Sequence, residues 1–106
     1  MNASLAPQSQ MQLAVHFHAQ GQLDSARGLY EDLLKRFPDD VGVLHQLGVL
    51  ESQAGHLDRA AARFARAVQL KPHDADAQNN LAFTWQQLGR EAEALMRRSL
   101  MSRVSG

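Results

Sequence analysis

The chain has 106 residues, 44% of them hydrophobic and 21% charged, a composition typical of one small globular domain and not of a disordered segment. Eleven basic residues balance eleven acidic ones, and this neutrality argues against a nucleic acid as partner. The chain contains no cysteine, which excludes disulfide bonds and thiolate metal sites.

The chain repeats itself at an interval of 34 residues, which is typical of architectures built by stacking one helical or stranded unit on copies of itself. Gly21, Gly55 and Gly89 keep this interval. It also relates three leucines and three alanines, namely Leu13, Leu47, Leu81, Ala26, Ala60 and Ala94. We predict an N-terminal tail over residues 1–6, followed by one domain of three units over residues 7–40, 41–74 and 75–106.

Each unit is predicted to form two antiparallel helices. In the first unit the first helix ends at Gly21, because glycine adopts the left-handed conformation without steric cost, and the second runs from near Asp24 to Pro38. The second unit repeats these signals, and Asp74 is placed to cap the helix that follows. The third unit is expected to form the same pair, with its turn at Gly89.

Small residues at equivalent places predict where the two helices of a unit touch. The first helices carry Ala14, Gly48 and Ala82, and the second helices carry Ala26, Ala60 and Ala94. A small side chain on each helix lets the backbones approach closely, and Tyr30 and Phe64 fill the space beside them. We assign these residues to packing.

The middle unit resembles the tetratricopeptide repeat, a 34-residue helix–turn–helix unit. The residues that carry the resemblance are Leu47, Gly48, Gly55, Ala60, Phe64, Ala67 and Pro72. It implies an all-α fold, a right-handed superhelix (α-solenoid) whose first helices line a concave groove. It also implies a protein-interaction module that binds a peptide or partner protein and has no catalytic activity. Glu51 and Arg98 depart from the pattern, since aromatic residues are usual at both places.

By the geometry of that family, the groove is lined by residues of all three first helices. These are Met11, Gln12, Val15, His18, His45, Gln46, Val49, Gln53, Asn79, Asn80, Phe83 and Gln87. Gln12, Gln46 and Asn80 form a row of amides that could hydrogen-bond the backbone of an extended peptide. The row is similar to the asparagine ladder of repeats that precede some nucleotide-sugar glycosyltransferases. The alternative is that an exposed helix face simply tolerates Gln and Asn.

The groove places hold no fixed cation, unlike the repeats of this family that bind the C-terminal carboxylates of chaperones. The expected ligand is therefore an extended peptide with little or no charge. The five histidines lack the spacing of a metal site, and no nucleophile or phosphate-binding motif is present. We predict no cofactor, no metal and no enzyme activity.

Apolar residues spaced by four on the last helix, Met96, Leu100 and Val104, form a stripe that needs an explanation. One is self-association into a homodimer, which would make the chain an assembly element. Another is a longer protein, such as a glycosyltransferase, of which this chain is the N-terminal substrate-recruiting or regulatory part. A third is a helix out of register with the family pattern.

The N-terminus lacks a secretory signal pattern, and no apolar run approaches the roughly 20 residues that cross a bilayer. We therefore predict a cytoplasmic location and no membrane partner.

Overall fold

Five α-helices make up the fold in this computed structural model, which describes the backbone of residues 5–105 and the side chains of residues 5–99. The helices are α1 (Pro7–Ala19), α2 (Leu23–Arg36), α3 (Val41–Gln53), α4 (Leu57–Leu70) and α5 (Ala75–Ser105). The helices α1 and α2 pack together, as do α3 and α4, while α2 also contacts α3 and α4 contacts α5. The predicted all-α repeat fold is confirmed.

Local signals set the helix ends in the first two units. Gly21 and Gly55 have φ angles of 77° and 84°, so each takes the left-handed conformation that stops the preceding helix. The carboxylate of Asp40 accepts a hydrogen bond from the backbone N–H of Val43, at 3.2 Å, and caps α3. Asp74 accepts from the N–H groups of Asp76 and Ala77 and caps α5 as predicted.

The core confirms the predicted contacts of small residues in the first two units. Ala14, Ala26 and Ala60 are fully buried; Tyr30 is buried in the same cluster as Ala14 and Ala26, and Phe64 in the same cluster as Ala60. A Cβ atom added to Gly48 would lie 2.5 Å from the ring of Phe64, which shows how closely the backbone of α3 approaches α4. These contacts pack the two helices of each unit closely together.

The third unit does not form the predicted helix pair. The helix α5 runs through Gly89 without a turn, and its residues 89–99 are all exposed. In the first two units a leucine follows two residues after the glycine and an aspartate three residues after it, whereas the third unit has Glu91 and Ala92 there. The apolar residue that anchors the start of the second helix in the first two units is therefore replaced by a glutamate, and the residues after Gly89 are good helix formers that continue the existing helix.

As a consequence, the predicted helix contact at Ala82 and Ala94 does not form, and both residues are exposed. Among the described residues, no helix is both long enough and apolar enough to cross a membrane.

Candidate peptide-binding groove

Three adjoining cavities run across one side of the molecule, along α1, α3 and the start of α5. The first, of about 280 Å³, is lined by Pro7, Gln8, Met11, Gln12, Leu33, Phe37, Asp40 and Val43. The second, of about 320 Å³, is lined by Met11, Val41, Gly42, His45, Gln46, Lys71, Asp74, Asp76 and Ala77. The third, of about 340 Å³, is lined by Val15, His18, Ala19, Gln46, Val49 and Gln53.

The three cavities share side chains and so form one track, called the groove below. Met11 lines both the first and the second cavity, and Gln46 lines both the second and the third. Eight of the twelve predicted groove residues line this track, namely Met11, Gln12, Val15, His18, His45, Gln46, Val49 and Gln53. Whether they bind a ligand stays a prediction.

The four predicted groove residues of α5 lie outside these cavities. Asn80 is half-buried and reaches α3, where its Nδ2 atom lies 3.2 Å from Nδ1 of His45. Asn79 is exposed, Gln87 is half-buried, and the ring of Phe83 is 60% exposed. The side of α5 that carries Phe83 therefore offers open apolar surface beside the track.

Two hydrogen bonds connect the first helices of neighbouring units, and both use predicted groove residues. Nε2 of His18 lies 2.7 Å from Oε1 of Gln53, and Nδ2 of Asn80 contacts His45. The partners are 35 residues apart in each case, one repeat plus one residue. These bonds hold the groove side chains of adjacent units in a defined relation before any ligand binds.

The bond geometry assigns the tautomer of His18. Because Oε1 of Gln53 can only accept, Nε2 of His18 carries the proton and donates it. In the neutral imidazole, Nδ1 then accepts from the hydroxyl of Tyr30, at 3.2 Å. Burial raises the pKa of Tyr30 to about 12, so this hydroxyl keeps its proton at neutral pH. The imidazole of His18 is thus fixed on both sides.

The charge of the groove is concentrated at the N-terminal ends of α3 and α5. Asp40 borders the first cavity, while Asp74 and Asp76 border the second with Lys71 as the one cation in the lining of the three cavities. Two of these carboxylates are already engaged as helix caps. The third cavity has no acidic or basic residue other than His18 in its lining.

Sequence reasoning missed two buried polar clusters behind the groove. Glu51, with 1% of its side chain exposed, accepts from Nε of Arg27 at 2.9 Å and lies 3.8 Å from Arg59. The hydrogen bond that Arg27 donates to Glu51 is the main cause of the raised pKa of Arg27. The signal was present, since Glu51 occupies a place where the outer units carry Phe17 and Trp85.

The second missed cluster surrounds Gln10, which is fully buried between α1 and α2. Its Nε2 donates to the carbonyl of Leu29 and to the carboxylate of Asp32, and its Oε1 accepts from Arg36. All these polar atoms are satisfied, so the cluster fixes the register of the two helices. No repeated pattern marks Gln10, because the equivalent residue of the second unit is Leu44.

The residues predicted for self-association are described only in part. Met96 lies on the free half of α5 with 65% of its surface exposed. Leu100 and Val104 belong to the same helix, but their side chains lie outside the described part of the chain.

Two family models, both described as tetratricopeptide repeat, match the chain over residues 7–50 and 45–100. A mutant of the protein MamA superimposes with a TM-score of 0.73 and 26% identity, over 92% of this chain and 75% of that one. A second MamA mutant gives the same score and identity, with 53% of that chain covered.

Curated relatives include parts of much larger proteins. Human Protein O-mannosyl-transferase TMTC2 is 38% identical over 73 residues, which are 68% of this chain and 9% of that protein. Mouse Protein arginine N-methyltransferase 9 is 36% identical over 67 residues, 63% of this chain and 8% of that protein. The chain thus spans less than a tenth of the length of these relatives.

Proposed function

Because the chain belongs to the tetratricopeptide repeat family, we propose that it is a protein-interaction module that binds an extended peptide segment in its groove. The observation that carries this proposal is the continuity of the three cavities through Met11 and Gln46. A peptide in the extended conformation could follow such a track. A folded partner would have to present a projecting segment.

The groove chemistry favours a peptide with apolar side chains and little charge. Val15, Val49 and Phe83 provide apolar contacts, and Pro7, Met11 and Phe37 give the first cavity an apolar wall. Gln12 and Gln46 offer donors and acceptors to a peptide backbone, whatever its sequence. The groove is short, so the interface area and the affinity are expected to be modest.

The test uses a phage-displayed library of unstructured peptides, selected on the wild-type protein. The selected peptides should lose roughly tenfold in affinity for the double variant Gln12→Ala/Gln46→Ala, since two backbone hydrogen bonds are removed. Asn80 is left intact because it positions His45. The matched control is Gln69→Ala, an exposed amide on α4 outside the groove cavities. Equal binding by the double variant and wild type would contradict the groove proposal.

A second candidate function is recruitment or regulation within a larger enzyme, as in the glycosyltransferase alternative. The support is that the matched relatives are named as transferases and that this chain corresponds to a small fraction of each. The test is the mass of the single polypeptide that contains this domain, detected in extracts of its own cells with an antibody to this domain. A mass several times 11.7 kDa supports this candidate, and a mass near 11.7 kDa contradicts it.

The third candidate is an assembly element that associates with copies of itself through the last helix. Among the described side chains, Met96 supports it.

A further inference from the structure

The groove has two branches that run in different directions over the helices. The first and third cavities are both lined by residues of α1 and α3, and neither touches α5. The second cavity takes only Met11 from α1 and is otherwise lined from α3, Lys71 and the start of α5. A peptide that fills the first and third cavities therefore runs along α1 and α3, whereas one that fills the second crosses toward α5.

The residue numbers give the distance between the first and third cavities. On α1 the first cavity is lined from within residues 7–12 and the third from within residues 15–19. The midpoints of these ranges are about 7.5 residues apart, or about 11 Å at a helical rise of ~1.5 Å per residue. On α3 the offset from Val43 to the middle of residues 46–53 gives about 10 Å by the same rise.

This distance sets the spacing of side chains that could fill both cavities. An extended chain rises about 3.3 Å per residue, so two of its side chains span about 10 to 11 Å when they are about three or four residues apart. In an α-helical ligand the same distance would correspond to about seven residues. The two kinds of ligand therefore differ in sequence pattern.

The first cavity is formed to hold an apolar side chain. Its lining includes the core residues Leu33 and Val43, which are 2% and 3% exposed, and the ring of Phe37, which is 43% exposed. The third cavity offers Val15 and Val49. The hydrogen bond between His18 and Gln53 joins α1 to α3 in the lining of that cavity, so its width is set before a ligand binds.

Charge distinguishes the two ends of the α1–α3 branch. Asp40 lies in the lining of the first cavity, and none of the ion pairs among residues 5–99 involves it. Its Oδ1 caps α3. The third cavity has no acidic or basic residue other than His18. Charge complementarity therefore favours a ligand with a cation near the first cavity and none near the third.

We propose that the ligand is an extended segment that runs along α1 and α3 and inserts two apolar side chains, about three or four residues apart, into the first and third cavities. A lysine or arginine of the ligand flanks the apolar residue in the first cavity, on the side away from the other apolar residue, and pairs with Asp40. This inference rests on the proposed function and specifies the peptide that the groove selects.

The first experiment tests the spacing with a phage library in which two leucines are held two to seven residues apart and every other position is randomised. Selection on the wild-type protein should enrich the spacings of three and four, with lysine or arginine outside one of the leucines. Enrichment of the spacing of seven would indicate a helical ligand and overturn the proposal. Selected peptides without a preferred spacing would overturn it as well.

Binding to the double variant Gln12→Ala/Gln46→Ala separates this inference from the proposed function. Selected peptides that bind the double variant as tightly as wild type would contradict both. Peptides that lose affinity for it but show no preferred spacing would contradict only the two-cavity pattern.

Double-mutant cycles then assign each leucine of a selected peptide to a cavity. Phe37→Ala should couple by roughly fivefold to replacement of the leucine beside the basic residue, and Val15→Ala by a similar factor to replacement of the other leucine. Trp85→Ala is the matched control, because this ring is also exposed but lies outside the groove cavities. Equal coupling of both leucines to both groove variants would overturn the assigned placement.

The charge pairing is tested with Asp40→Asn, which keeps a side-chain oxygen to cap α3 and removes the negative charge. Affinity for the selected peptide should fall roughly threefold at low salt, and the difference from wild type should shrink at high salt. Asp39→Asn is the matched control, since the neighbouring Asp39 pairs with Arg66 at 2.7 Å and lies outside the groove cavities. Equal affinities of Asp40→Asn and wild type at low salt would overturn the pairing with Asp40.

Discussion

The second and third units share the 34-residue repeat, but only the second unit folds into a closed helix pair. In the second unit, Gly55 turns the chain, and Phe64 of α4 packs against Gly48 of α3. In the third unit, Gly89 lies inside a helix, and Ala82 stays exposed. The difference teaches that a glycine at the turn position is not sufficient for a turn. The residues after it must also provide an anchor for the second helix and a way to start it.

The largest expected contrast is between two aromatic residues. Phe64→Ala should lower the free energy of unfolding by about 3 to 5 kcal/mol, because it leaves a cavity in the closed second unit. Trp85→Ala should lower it by less than about 1 kcal/mol in the monomer, since most of the ring is already in water. Urea unfolding at low protein concentration measures both. Similar losses for the two variants would show that the third unit is closed in solution.

The ion pairs of the two regions should also differ. Glu51→Ala removes a buried carboxylate and leaves Arg27, which is partly exposed, with Asp24 as its remaining partner, so it should cost about 1 to 3 kcal/mol. The pair between Glu93 and Arg97 on the free half of α5 is exposed, so Glu93→Ala should cost no more than about 0.5 kcal/mol. The check is denaturant unfolding in low and in high salt. A cost for Glu51→Ala near that of Glu93→Ala would contradict the buried network.

The loss of stability at high pH should depend on Tyr30. The equivalent residue of the third unit is Arg98. The folded pKa of Tyr30, about 12, lies above the unfolded value near 10. Its contribution is therefore complete below pH ~10 and is lost as the pH rises through 12, up to about 2 to 3 kcal/mol.

Tyr30→Phe should remove that part of the alkaline loss, and comparison of the two proteins cancels the titration of lysines. Because Tyr30 is the single tyrosine, its ionisation can be followed by tyrosinate absorbance. Identical alkaline unfolding curves for wild type and Tyr30→Phe would argue against a buried hydroxyl.

The last pair of variants should show the smallest changes in stability, and the two changes should have opposite signs. Gly48→Ala places a methyl group against the ring of Phe64 and should destabilise the protein by about 1 to 3 kcal/mol. Gly89→Ala meets no neighbour and should stabilise α5 by about 0.5 to 1 kcal/mol, because alanine has the higher helix propensity. Thermal unfolding compares the two. A loss of stability in Gly89→Ala would indicate that Gly89 adopts the turn in solution.

Much of the fold could be predicted because its signals are local and repeated. The 34-residue interval, the glycines at the first two turns and the caps at Asp40 and Asp74 identify the first four helices and the start of the fifth. The groove lining on α1 and α3 was implied by the resemblance to the tetratricopeptide repeat, and its ligand stays a prediction. The row of amides is visible in the sequence. The hydrogen bond between Asn80 and His45 could not be predicted from it, since this bond joins residues of different units.

The sequence by itself determined the class of fold and the helix pairs of the first two units. These depend on backbone preferences and on periodicity, which act over a few residues. Only the tertiary structure decided that α5 continues through Gly89 and that Glu51 is buried with Arg27. Both outcomes depend on what packs against a residue from elsewhere in the chain. The free energy of that packing, or its absence on the open face of α5, outweighs a local signal such as a single glycine.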